Sequence, residues 1–266
     1  MTVGWGAAPL FGAVGLLGLV VGSFLNVVIY RVPRAESLLW PGSRCPNCQV
    51  AIRPWHNVPV LGWLVLRGRC ASCLRAISPR CPLVEAGTAA LFGGVAAGFG
   101  ASAALPAYLY LAAVAVALSM IDVDVRRLPD VIVLPSYLVG VVLLVPAGAA
   151  AGWSGYLRGG LAAGALLAFY LALALLYPGG MGLGDVKLAG LLGWYLGWLG
   201  WGQVLVGTFA AFLLGGAVGV ALMVTRGAGR RSAIPFGPAM LAGALVALLF
   251  AGPVLRWYGA MLTISG

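Results

Sequence analysis

The sequence predicts an all-α, polytopic membrane protein of about eight transmembrane helices, with a small polar domain outside the bilayer between helices 1 and 2. Three observations carry this. Apolar residues make up 62% of the chain and charged residues 8%, against about a quarter charged in ordinary soluble domains. Apolar runs near the roughly 20 residues needed to cross a bilayer recur between charged or proline-rich breaks. One stretch, 31–82, has a different character, holding eight arginines and all five cysteines, the fifth at its edge.

Taken in order, the runs place spans at about Trp5 to Tyr30, Leu83 to Gly100, Ala103 to Ile121, Val131 to Ala150, Gly159 to Tyr177, Val186 to Leu199, Gln203 to Thr225 and Phe236 to Leu255. The sixth is short and glycine-rich. The 41 glycines suit close helix packing in lipid, where small residues let backbones approach. The first run lacks a basic leader and a small-residue cleavage site, so it reads as a retained span and not a signal peptide. No internal repeat is evident, which disfavours an inverted-repeat transporter.

The net charge of +10 calls for no nucleic-acid partner. Positive residues collect in cytoplasmic loops. With 31–82 in the cytoplasm, alternating spans put Arg126, Arg127, Lys187, Arg226, Arg230 and Arg231 on the same side and leave only Arg158 and Arg256 outside. Fourteen of sixteen positive residues then lie inside, and the N-terminus lies outside.

Cys45-Pro46-Asn47-Cys48 and Cys70-Ala71-Ser72-Cys73 form two C-x-x-C knuckles separated by 21 residues. Four thiolates so arranged match a tetrahedral zinc site. With all four ligands from protein, such a zinc is structural, and it would stabilise a domain too small and polar to build a core alone. Disulfides or a redox pair are the alternative, disfavoured in a reducing cytoplasm. Cys81 reads as a packing residue. His56, the only histidine, reads as a surface or packing residue, although a ligand or general base stays open; without a second histidine an H-E-x-x-H zinc protease is excluded. No G-x-S-x-G elbow is present either.

The remaining chemistry lies in six carboxylates. Ionisable groups in apolar spans are costly and are functional candidates by default. Gly182-Leu183-Gly184-Asp185-Val186-Lys187 places one aspartate between glycines and a lysine at the start of the sixth run. Ile121-Asp122-Val123-Asp124-Val125-Arg126-Arg127-Leu128-Pro129-Asp130 closes the third. Two aspartates can hydrolyse a peptide bond without metal, one taking a proton from water while the other donates to the carbonyl oxygen. Asp122 and Asp124 cannot share a helix face, since successive residues turn by about 100°. Asp122, nearer the apolar run, is the candidate for the buried position. Asp124 reads as part of a charged interfacial turn, Asp130 as a helix cap, and Lys187 as a snorkelling or topology residue beside the site. Asp185 also reads as a simple helix cap with hinge glycines. Glu85, near the start of the second span, is a further candidate for binding substrate or a polar neighbour.

These motifs together resemble the bacterial type IV prepilin leader peptidases, membrane aspartic proteases with a G-x-G-D motif. Gly22 to Arg31 is similar to the end of the family's first span, and the knuckles with Asn57-Val58-Pro59 and Leu66 to Cys70 to its cytoplasmic zinc domain. Arg80-Cys81-Pro82-Leu83-Val84-Glu85 resembles the start of its second span, with Cys81 where an aromatic is usual. Ile121 to Asp130 and Gly182 to Lys187 resemble its two catalytic segments, and Ile234-Pro235-Phe236-Gly237-Pro238 the start of its last span.

The resemblance implies catalytic Asp122 and Asp185, supported by Gly182, Gly184 and Lys187, with Asp124 and Glu85 as secondary candidates. It implies a first transmembrane helix at 1–30, a zinc-binding, methyltransferase-associated domain at 31–82, and a membrane-embedded peptidase domain at 83–266. The expected activity is cleavage of the basic leader of prepilins or pseudopilins after a glycine, at the cytoplasmic face of the bacterial inner membrane. Methylation of the new N-terminus from S-adenosylmethionine would follow. The rival readings are a proton- or ion-coupled transporter using the same carboxylates, and a scaffold whose zinc domain docks a secretion ATPase.

Overall fold

In the computed structural model the described residues are 8–177, 181–226 and 235–264, the side chains of 226 and 253–264 excepted. Trp5, Arg230, Arg231 and Ile234, which enter the expectations above, lie outside the described residues. The helices are α1 (Ala8–Arg31), α2 (Leu61–Val65), α3 (Arg80–Phe99), α4 (Leu105–Val125), α5 (Asp130–Ala151), α6 (Ser154–Leu176), α7 (Leu183–Leu199), α8 (Trp201–Arg226) and α9 (Gly237–Ile264). Among the described residues, β structure is limited to two isolated bridges.

A long helix stands at each of the eight expected spans. Of these, α1, α3, α4, α5, α6 and α8 are long and apolar enough to cross a membrane. The α7 helix has 17 residues, and α9 is apolar over Gly237–Gly252. Several starts differ from the expected ones by two or more residues, and two of them bear on charged residues. Helix α6 begins at Ser154, which brings Arg158 into its first turns, and α7 begins at Leu183, so Asp185 lies within the helix and not ahead of it.

The chain divides into two compact units, Met1–Ala101 and Ser102–Gly266. In the first, α1 crosses α3 where glycine removes the steric barrier. A Cβ on Gly18 would stand 2.6 Å from the Ala89 Cα, and one on Gly22 would stand 2.7 Å from the Glu85 Cα. Gly18 and Gly22 are one turn apart, the small-xxx-small spacing that lets membrane helices approach closely.

Between these helices lies a repeat that the sequence analysis missed. Arg44-Cys45-x-x-Cys48-x-x-Ala51-Ile52 recurs as Arg69-Cys70-x-x-Cys73-x-x-Ala76-Ile77. Each copy closes with the same bonds: Cys45 N–H to the Val50 carbonyl and Ile52 N–H to that of Ser43, then Cys70 N–H to that of Arg75 and Ile77 N–H to that of Gly68. Gln49 and Leu74, at matching positions, both adopt φ 58°. The repeat eluded a search for span-sized periodicity because it is a nine-residue loop motif.

The second unit is built around α7, whose residues 188–197 are all buried. Small residues permit this. A Cβ on Gly193 would meet the Ala162 carbonyl at 2.6 Å, so α7 lies against the backbone of α6. Helices α8 and α9 approach comparably, the Gly243 position facing Gly207 and Ala211. Three side chains bond α7 carbonyls from outside: Tyr137 Oη to Lys187 (2.6 Å), Tyr108 Oη to Tyr195 (2.8 Å), and Arg158 to Gly197 and Trp198 (2.7 and 2.6 Å). Arg158 thus satisfies carbonyls that a helix C-terminus leaves open and places its positive charge at the negative end of the dipole.

Candidate active site and metal centre

The two knuckles bring Cys45, Cys48, Cys70 and Cys73 together with all four sulfurs within 4.8 Å of one another. A tetrahedral metal with sulfur bonds of about 2.3 Å has sulfur–sulfur edges of about 3.8 Å. The Cys45–Cys73 and Cys48–Cys70 separations are both 3.9 Å, too long for disulfides, which need about 2.05 Å. The cluster is therefore shaped to hold a metal ion. Backbone amides face the sulfurs. The Arg75 N–H, followed by the Asn47 side chain, lowers the Cys73 thiol to about 6, and the amides of Cys48 and Asn47 lower that of Cys45; at Cys48 the Val50 amide lowers the thiol, but burial and the neighbouring thiols push it up to about 11. Asn47 also accepts Arg75 Nη1 at 3.1 Å, joining one knuckle to the other. Cys81 stands apart from this cluster, and its carbonyl oxygen accepts Asn26 Nδ2 at 3.1 Å. His56 ends a short 3₁₀ turn and is not among the clustered ligands.

In the second unit, three helix ends converge. Asp122 lies in the last turn of α4, where its carbonyl accepts the N–H of Arg126, which leaves the helix in the left-handed conformation. Its side chain is 5% exposed. Asp124, two residues on, is exposed, as the helical rotation requires. The Asp122 Oδ2 atom is buried, and no side chain of the described residues bonds it. Beside it is Gly237, the first residue of α9: a Cβ there would be 2.7 Å from Oδ2.

Asp185 occupies the third position of α7. Its Oδ2 accepts the Gly182 N–H at 3.2 Å while its own N–H bonds the Gly182 carbonyl at 3.0 Å, a reciprocal cap across the first turn. The capping reading of Asp185 is therefore realised, and the carboxylate also lies within electrostatic reach of Asp122. Leu128 packs between the helix starts. A Cβ on Gly184 would meet its Cβ at 3.1 Å, and one on Gly237 its Cδ2 at 3.2 Å. The arrangement offers two carboxylates, one of them buried, flanked by two helix N-termini whose dipoles favour negative charge.

The chain matches known proteins over nearly its whole length. Residues 16–99 match the Bacterial Peptidase A24 N-terminal domain, and residues 109–220 match the Type IV leader peptidase family. The chain is 37% identical to a prepilin leader peptidase/N-methyltransferase of Pseudomonas aeruginosa over 91% of both chains. To proteins of the same description it is 37% identical in Aeromonas hydrophila, over 93% of both, and 39% identical in Neisseria gonorrhoeae, over 85% of both. This chain belongs to the type IV leader peptidase family. No solved structure matches it.

Other residues of this leader peptidase family member take places that the sequence left open. Asp130 does not cap α5 with its side chain: Pro129 is the N-cap, and no side-chain cap bond forms. Instead both Asp130 oxygens accept Lys187 Nζ, at 2.8 and 2.7 Å, a pair 57 residues apart in sequence. Lys187, expected to snorkel, is committed to that pair. Glu85 is buried in the first unit, where Oε2 accepts the Val60 N–H at 2.6 Å. Gly237 and Leu128 are the site neighbours that sequence reasoning did not single out. Both lay within quoted motifs, and only the folded chain puts them against Asp122.

Proposed function

We propose that this protein is a membrane aspartic endopeptidase that removes the basic leader of type IV prepilins or pseudopilins after a glycine, with Asp122 and Asp185 activating the attacking water. The observation that carries the reading is the buried carboxylate of Asp122 at the start of α9, with Leu128 packed against both that helix start and the first turn of α7 that holds Asp185. In the reaction, the ionised carboxylate of the pair takes a proton from water as its oxygen attacks the scissile carbonyl. The other, protonated carboxyl group gives its proton to the carbonyl oxygen; on collapse of the tetrahedral diol the first carboxyl passes its proton to the leaving nitrogen and the second takes one back from the diol, which releases the amine and restores the pair. The pair titrates as a unit, and the first proton belongs to the dyad. The N-termini of α7 and α9 stabilise the negative charge held there. Gly182 leaves room for an extended leader, while Gly184 is packed by Leu128; Asp124 and Glu85 stay outside the chemistry.

The reading extends to the domains. Residues 1–30 form the first transmembrane helix, 31–82 the metal-binding domain, and 83–266 carry the peptidase. Zinc is the metal that the four cysteines suit, held by Cys45, Cys48, Cys70 and Cys73 in a structural role. Methylation of the freed N-terminus would use S-adenosylmethionine, a second activity supported by the names of the relatives; no residue of this chain is assigned to it. The protein sits in the inner membrane with its N-terminus outside and its metal domain and carboxylates at the cytoplasmic face.

The test is incubation of purified protein with a prepilin precursor, with and without S-adenosylmethionine, reading product masses. Loss of the leader mass is expected, followed by gain of one methyl group when the donor is present. Asp122→Asn and Asp185→Asn should each abolish cleavage in folded protein, and Asp124→Asn should retain it. Cleavage by a folded Asp122→Asn/Asp185→Asn protein would overturn the dyad, and proton flux without cleavage would favour transport.

A further inference from the structure

The domain between α1 and α3 carries an apolar surface that the metal centre does not explain. In α2, Gly62 and Trp63 face inward: a Cβ on Gly62 would collide with the His56 carbonyl, and Trp63 Nε1 donates to the Ile77 carbonyl at 3.1 Å. Leu61, Leu64 and Val65, at the i, i+3, i+4 spacing of one helix face, are exposed by 59%, 55% and 75%. A second apolar point is the loop tip Leu38-Leu39-Trp40, with Leu39 88% and Trp40 78% exposed.

Hydrogen bonds fix the level of both points against the membrane helices. Glu85 lies five residues into α3, about 7.5 Å along its axis. Its carboxylate holds the Val60 N–H, the residue before α2. Asn26, five residues before the end of α1, bonds both the Cys81 carbonyl and the Glu85 carboxylate, at 3.1 and 3.5 Å. The start of α2 is thus held at the first turns of α3 and the last turns of α1, two helices apolar enough to cross a membrane. The tip of 38–40 is tied down likewise: Arg31, the last residue of α1, holds the Ser37 and Pro41 carbonyls at 2.8 and 2.7 Å. Charge supplies the complement. Residues 31–82 contain eight arginines against one carboxylate, Glu36; Arg67 and Arg69, just after α2, are exposed.

We propose that the domain of residues 31–82 docks on the bilayer surface itself, with Leu61, Leu64, Val65 and the Leu38–Trp40 tip among the acyl chains and its arginines on anionic lipid phosphates. Tryptophan at the headgroup level and a basic surface beside it are the usual features of such an interface. The occupant is anionic lipid, because the apolar points are tied to the ends of two helices apolar enough to cross a membrane and exposed arginines lie beside them. Docking fixes the metal domain's tilt relative to α1 and α3, so the knuckles present one face to the aqueous side.

The test uses the full chain, metal-loaded, in nanodiscs of phosphatidylglycerol and phosphatidylcholine in equal amounts. A photo-crosslinking benzoylphenylalanine replaces Leu64, Leu39 or, as control, Gln49 at the first knuckle. Mass spectrometry then identifies the adducts, and bound metal reports folding. Lipid adducts are expected at 64 and 39 with at least tenfold lower yield at 49. Phosphatidylglycerol should be enriched over phosphatidylcholine by about fivefold, the factor that one arginine contributes at an anionic surface. Equal yields at all three positions, or no lipid adduct at either apolar site in metal-loaded protein, would overturn the proposal. Protein–protein adducts at 64 would assign the face to a second copy instead. Equal adducts of the two lipids would overturn the anionic part.

Discussion

Replacing Lys187 by methionine separates two roles that its place beside Asp185 permits. The ammonium touches both Asp130 oxygens, but the two side chains are 38% and 53% exposed. At that exposure water screens the pair, and such contacts are worth about 0.2–1 kcal/mol. If the pair only steadies the first turns of α5 and α7, Lys187→Met and Asp130→Asn each lower the turnover rate by no more than about fivefold. Loss of a proton-transferring group costs far more, about 10²–10⁴-fold. The assay is the initial rate of leader release from a prepilin precursor by purified protein in nanodiscs, for both single variants and the double variant. A steadying pair gives a double variant no worse than the more damaged single one, because the contact is removed once. A thousandfold loss in Lys187→Met alone, with Asp130→Asn near wild type, would refute this reasoning and make Lys187 part of the chemistry.

Gly237→Ala places a methyl group 2.7 Å from Asp122 Oδ2; displacing that carboxylate by a fraction of an ångström to an ångström should cost about 10²-fold in rate, read beside an unchanged melting temperature. Cys73→Ser leaves three sulfur ligands, so bound metal measured by elemental analysis should fall from one per chain toward none, and residues 31–82 should become sensitive to protease. Gly193→Val forces a side chain into the Ala162 backbone, with 2.6 Å already too close for the first carbon; overpacking of this kind costs about 1–3 kcal/mol or more, seen as a lower unfolding temperature in detergent.

Much of the fold was legible because lipid leaves few solutions. Composition and run length gave eight helices, and the cysteine spacing gave the metal cluster, since both signals are local in sequence. The choice of Asp122 over Asp124 as the buried residue also followed from local geometry, a rotation of about 100° per residue. What stayed hidden depends on contacts between distant segments. Asp130 resembles a cap when read beside Pro129, and only the approach of α5 to α7 shows its carboxylate on Lys187. Gly237 had no reason to matter until α9 began against Asp122. The start of α7 was placed late because glycines at 182 and 184 read as a loop. In the structure Gly182 serves as N-cap and Gly184 lies inside the helix, where the close packing of Leu128 requires a small residue.

The three anchors on α7 give it a single axial register. A slip by one residue would shift it by about 1.5 Å, turn its faces by about 100°, and break the bonds from Tyr137, Tyr108 and Arg158 together. Gly197, where Arg158 holds the helix, lies twelve residues from Asp185, about 18 Å along the axis. A pull at that far end is not absorbed along the way. The helix acts as a strut, and the position of a carboxylate at one of its ends is set by an arginine near the other.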